Sequence, residues 1–137
     1  MANTKAIGVA YEDQNIRGAD VCYVDSELGY TAAAQGTVTQ LTDKTTAVTL
    51  NKAAGRITMN NAALAAATSV SFTLNNSFIS PNDTLIVTLS GGIATPATYN
   101  CWVNSLSAGS ANITLRNVSA GSLSEAVIIN FAIIHCL

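Results

Sequence analysis

The chain has 137 residues, enough for one domain, with 49% hydrophobic and only 10% charged residues and a net charge of -2, against an ordinary charged share of about 25%. Its six basic residues, Lys5, Arg17, Lys44, Lys52, Arg56 and Arg116, are scattered; they form no phosphate-neutralising stripe, which argues against a nucleic-acid partner, and no apolar run approaches the roughly 20 residues that cross a bilayer, so no membrane partner is expected. Polarity comes instead from Thr, Ser and Asn, and a neutral surface that charge does not hold apart points to assembly rather than to a lone monomer.

Charge divides the chain unevenly. Ten of the 14 charged residues fall within positions 1–52, and only Arg56, Asp83, Arg116 and Glu125 follow. Residues 1–36 sustain no period, with polar breaks at Asp13-Gln14-Asn15, Gly18, Gly29 and Gln35-Gly36, and are read as an N-terminal arm or docking segment. The opening has no apolar h-region, so it is not read as a secretory signal. The short apolar pieces at 7–11 and 21–24 fit either strands of the same domain or an arm that adds to a neighbour's sheet edge.

Residues 37–137 read as an all-β domain, a β-sandwich or jelly-roll-like fold. Strands are expected at 47–50, 56–59, 69–74, 84–89, 99–106, 111–117 and 126–134. Alternation is clean at Ile57 and Met59, at Val70, Phe72 and Leu74, and at Ile113 and Leu115, and a period of two buries one face of a strand. Turn signals separate these runs: Ala54-Gly55, Asn75-Asn76, Pro81-Asn82-Asp83, Ser90-Gly91-Gly92, Ala108-Gly109 and Ala120-Gly121. The Ala-rich stretch 61–67 is too short, between two strand patterns, to be read as a helix. The runs at 84–89 and 126–134 are apolar on both faces. In a two-layer fold such strands need a second cover, either another subunit or a long loop or arm of the same chain.

The chain offers little that reads as chemistry, and no catalytic residue, cofactor or metal site is expected. The single histidine, His135, shows no hydrolase-type pattern of neighbours in sequence, and its neighbour Cys136 points to the opposite face of a strand. Asp25 and Glu27 lack the spacing of a calcium loop, and Asp83 reads as a turn or strand-start residue. Cys22, Cys101 and Cys136 are odd in number and widely spaced; they read as reduced, mostly buried small residues, which fits assembly in a cytoplasm. The sequons at Asn75, Asn82, Asn112 and Asn117 follow from a composition rich in Asn, Ser and Thr. Trp102 faces outward if Cys101 and Val103 face inward, as either an interface anchor or a ligand platform.

Several strings, taken in order, resemble a module common in tailed-phage virion proteins. They are GTVTQ at 36–40, VTLNK at 48–52, GRITM at 55–59, NAALAA at 61–66, VSFTL at 70–74, SAGS at 107–110, LRN at 115–117, and GSLSEA at 121–126 followed by NFAI at 130–133. The opening AIGVAYED at 6–13 is similar to the start of small capsid decoration (cement) proteins. The resemblance implies a β-sandwich that assembles as a homotrimer on the outside of a phage head, binds the major capsid protein and stabilises the shell, after assembly in the host cytoplasm. The module also resembles parts of head and tail fibres, which implies as the alternative a component that binds the host surface or a glycan. The residues expected at an interface are Tyr11, Ile16, Tyr23, Trp102, Ile128, Phe131 and Ile134.

Overall fold

The structure, a computed structural model, describes Tyr23 and residues 25–136. The described residues are all-β: after a 3-10 turn at Ala32–Ala34 come β1 (Gln35–Thr39), β2 (Val48–Thr49), β3 (Ala54–Thr58), β4 (Ser69–Asn75), β5 (Thr84–Gly91), β6 (Tyr99–Ser107), β7 (Ser110–Asn117) and β8 (Ile128–Ile134). They form two four-stranded sheets, β1-β3-β8-β5 and β2-β4-β7-β6. All seven expected strands are present. The 61–67 stretch is not helical; Leu64 makes an isolated antiparallel bridge with Leu123 instead.

β1 was not expected as a strand, and it straddles the expected boundary at 36. Two glycines hide it. Gly36 pairs with Gly55, and Gly55 with Phe131. A Cβ on Gly55 would come within 2.6 Å of Leu50 Cδ2 and 2.9 Å of Phe131 Cε1, and one on Gly36 within 2.8 Å of Leu50 Cδ1. These glycines mark a close approach inside strands, where Leu50 and Phe131 need the space, and not the chain breaks that their sequence context indicates.

One hydrophobic cluster joins the inward faces of both sheets. Ile57, Leu85, Ile129, Phe131 and Ile133 come from the first sheet, and Val48, Phe72, Leu74, Tyr99, Ile113 and Leu115 from the second. The β1–β3 and β2–β4 pairs are parallel, which departs from the antiparallel pattern of a jelly roll. β6 and β7 close through Ala108-Gly109, with Gly109 in the left-handed region at φ +78°.

Buried amides hold the loops, because a buried polar group is stable only when paired. Asn117 donates to the carbonyls of Leu64, Ala65 and Gly121 and accepts from the amide of Ser119. Asn76 donates to the carbonyl of Lys52, and Gln40 to those of Lys44 and Thr46. The Asn117 sequon is therefore sealed inside the fold.

Candidate functional site: the outward faces of the sheets

On the first sheet, the register sets Ala54, Ala132 and Ile86 in one outward row and Arg56, Asn130 and Thr88 in the next. Ile134, opposite Thr84, extends the apolar end. Alternation turns Leu85 and Phe131 inward and so must turn Ile86 and Ile134 outward, where they remain 46% and 52% exposed. Among the described residues, the doubly apolar strands are thus covered on one side by the core and only partly on the other.

That partial cover comes from the chain before β1. Leu28, Gly29 and Tyr30 line, together with Ile86, Ala132 and Ile134, a groove of about 500 Å³. The Tyr30 hydroxyl donates to the carbonyl of Ile133, and Gln35 Nε2 donates to the carbonyl of Tyr30 at 2.9 Å. Tyr30 is therefore tied at both ends, while Leu28 stays exposed.

The other end of this face is polar. Arg56 Nε donates to Asn130 Oδ1 at 3.4 Å, and Ser90 Oγ donates to the same oxygen at 2.9 Å. Gln35, Thr37, Ala54, Arg56 and Asn130 line an open groove of about 580 Å³ there. No carboxylate lies among its lining residues.

Beside the apolar end, the fold joins two residues far apart in sequence. His135 Nδ1 is 3.0 Å from Asp83 Oδ2. The Asp83 carboxylate also accepts from the amide of Ser80 at 2.8 Å, the hydroxyl of Ser80 at 3.1 Å and the amide of Cys136 at 3.3 Å. These donors, the Ser80 amide first, outweigh burial and hold the carboxyl down at about 2. The Ser80 hydroxyl is engaged by Asp83, and Cys136 Sγ lies 3.9 Å from the carbonyl of Ile134. What the contacts build is a latch that fixes the end of the chain to the start of β5. As the sequence indicates, Asp83 is a turn and strand-start residue. Among the described residues no three His, Cys, Asp or Glu side chains gather where a metal ion could be held.

The expected interface residues separate by location. Tyr11 and Ile16 lie outside the described residues. Tyr23 is exposed ahead of β1, Ile134 is at the apolar end, and Ile128 is half-buried on the same outward face. Phe131 needs correction: it is 3% exposed and belongs to the core, because it alternates with Asn130 and Ala132, which take the outward face. Ile86, Leu28 and Tyr30 were not singled out in the sequence. Ile86 was legible, since it alternates with Leu85 and Val87. Leu28 and Tyr30 were not, because no period places an irregular segment on a sheet. Cys22 lies outside the described residues; of the other two cysteines, Cys136 is exposed and Cys101 half-buried, so neither is fully buried as expected.

On the second sheet Trp102 faces outward, as the inward packing of Cys101 and Val103 requires. Comparison with known proteins finds no matching family model, no matching curated protein and no matching solved structure.

Proposed function

We propose that the chain is a structural virion protein, a capsid decoration protein that acts by packing and not by catalysis. In this reading its two sheets form a β-sandwich, its copies associate as a homotrimer, and the trimer sits on the outside of a phage head against the major capsid protein. The segment before β1 serves as the docking arm. The phage assignment rests on the resemblance of residues 36–135 to virion modules. The observation that carries assembly is the pair of half-exposed isoleucines, Ile86 and Ile134, on a sheet face that the described residues cover only in part.

The physical case is one of area and charge. A standard interface buries about 1,600 Å² in total and needs an apolar centre with a paired rim. Ile86, Ala132, Ile134 and Leu28 supply such a centre, and Arg56, Asn130 and Ser90 the hydrogen-bonding groups beside it. A surface poor in charge escapes the desolvation cost of burying ions.

The test is the mass of the purified protein in solution together with its copy number on heads. A trimer, a stoichiometry near that of the major capsid protein, and heads that lose heat resistance without it are expected. A monomer that leaves the heat resistance of heads unchanged would sink the proposal. A few copies at one vertex or at the tail would favour the fibre reading.

A further inference from the structure

The outward face of the second sheet is built unlike that of the first. Its rows are Ser71, Thr114 and Trp102, flanked by Ser69, Arg116 and Asn100. Apart from Trp102 these side chains are hydroxyls, amides and one guanidinium. Thr114 is the informative residue. It stands on the outward face, opposite Ser71 and Trp102, yet it is only 3% exposed.

Its cover is a fixed network. Trp102 Nε1 donates to Asn104 Oδ1 at 2.7 Å. Asn104 Nδ2 donates to Thr114 Oγ1, to Asn112 Oδ1 at 2.7 Å and, at 3.4 Å, to Ser71 Oγ. Ser71 and Thr114 share a further hydroxyl bond of 2.7 Å. Asn104 therefore holds the indole by its N–H, and Trp102, 39% exposed, turns part of a ring toward solvent from a set position.

We infer that this face binds a glycan, with Trp102 as the stacking plate. The face of a pyranose ring is a set of C–H bonds whose positive ends meet the negative face of an aromatic ring, and its rim is hydroxyls that need neutral donors and acceptors. The sheet provides both. Asn100 and Arg116 lie one row from Trp102, about 7 Å along the strands, and both are exposed. Because the indole and Asn104 are held before any ligand arrives, binding costs little side-chain freedom. A protein partner suits the face poorly: the centre of an interface is apolar and depleted of polar groups, whereas Trp102 has Asn100, Asn104 and Thr114 around it. The site lies on the sheet opposite the proposed assembly face and does not depend on that proposal.

Trp102 is the only tryptophan of the chain, so its own emission reports the site. The full-length protein is titrated with cellohexaose, maltohexaose, chitohexaose and oligogalacturonate, with calorimetry in parallel. Saturable binding of at least one sugar, with a change in emission, is expected. Trp102→Ala should weaken it at least about tenfold, and Asn104→Ala, which frees the ring but leaves it in place, by a smaller factor. Trp102→Phe should keep part of the affinity. If Trp102→Ala does not fold, Asn104→Ala and Trp102→Phe, checked for an unchanged melting transition, decide the matter. Failure of every sugar to bind, or binding untouched by these variants, overturns the inference. So does an emission that changes with protein concentration alone, which would make the face a contact between copies.

Discussion

Asn117 shows what a single buried amide does in a fold with long loops. Its side chain donates to the carbonyls of Leu64, Ala65 and Gly121, each of which also accepts from a second donor, and so ties two loops to the end of β7. Removing it takes one donor from each carbonyl and the acceptor from the Ser119 amide and hydroxyl, at a net cost of about 0.5–1.5 kcal/mol for each hydrogen bond lost. Asn117→Ala is therefore expected to lose about 2–4 kcal/mol in denaturant melts. Asn117→Asp should be no better at neutral pH, because a carboxylate would face three carbonyl oxygens. A change below 1 kcal/mol in both variants would show that water replaces the clamp. Lys44 follows the same logic with a charge. Its buried ammonium donates to the carbonyls of Asn60 and Glu125. Burial lowers its pKa, and the charge of Glu125 opposes that shift. None of this was legible beforehand: nothing around an Asn or a Lys in sequence tells whether a loop will close over it.

Strands were far more legible than their ends and their partners. Phe72 and Leu74 in β4, and Ile113 and Leu115 in β7, announce their inward faces by a period of two. β1 does not, because Gly36 looks like a break until Leu50 is seen in the space it leaves. Pairings between distant elements were also hidden, and the latch at Asp83 is one of them. It joins the turn before β5 to the end of β8 through His135 and Cys136. The sign of its pH dependence follows from the direction of the shift. The folded carboxyl sits at about 2, below the ordinary value near 3.9, so the unfolded chain binds the proton more readily. The stabilisation is present in full above about pH 4 and is lost as the pH falls toward 2. Asp83→Asn should remove that part of the acid sensitivity, so its stability should fall less steeply between about pH 4 and pH 2 than that of the parent. The protection of the Cys136 amide, which donates to Asp83, against hydrogen exchange relative to its intrinsic rate should fall over the same interval in the parent. Equal slopes in the two proteins would show that the latch carries no net stabilisation.

At the scale of the whole molecule, the proposed assembly sets association on the face of β8 opposite the one that folds into the core. Phe131 and Ile134 both belong to β8, but one fills the core and the other stands half-exposed beside Ile86. Anything that binds only the folded state raises its stability by mass action, so a chain that associates through native surfaces melts higher at higher concentration. The parent protein should therefore show a Tm that climbs with protein concentration. Ile134→Ser and Ile86→Ser should flatten that climb while costing about 1 kcal/mol or less at high dilution, since neither side chain is in the core. Phe131→Ala should do the reverse: a loss of about 3–5 kcal/mol at every concentration, with the dependence on concentration kept wherever the variant still folds. The double pattern separates a surface that assembles from a core that folds. A Tm independent of concentration in the parent would mean that the apolar end of the first sheet is not where copies meet, and that its two isoleucines wait for a different partner.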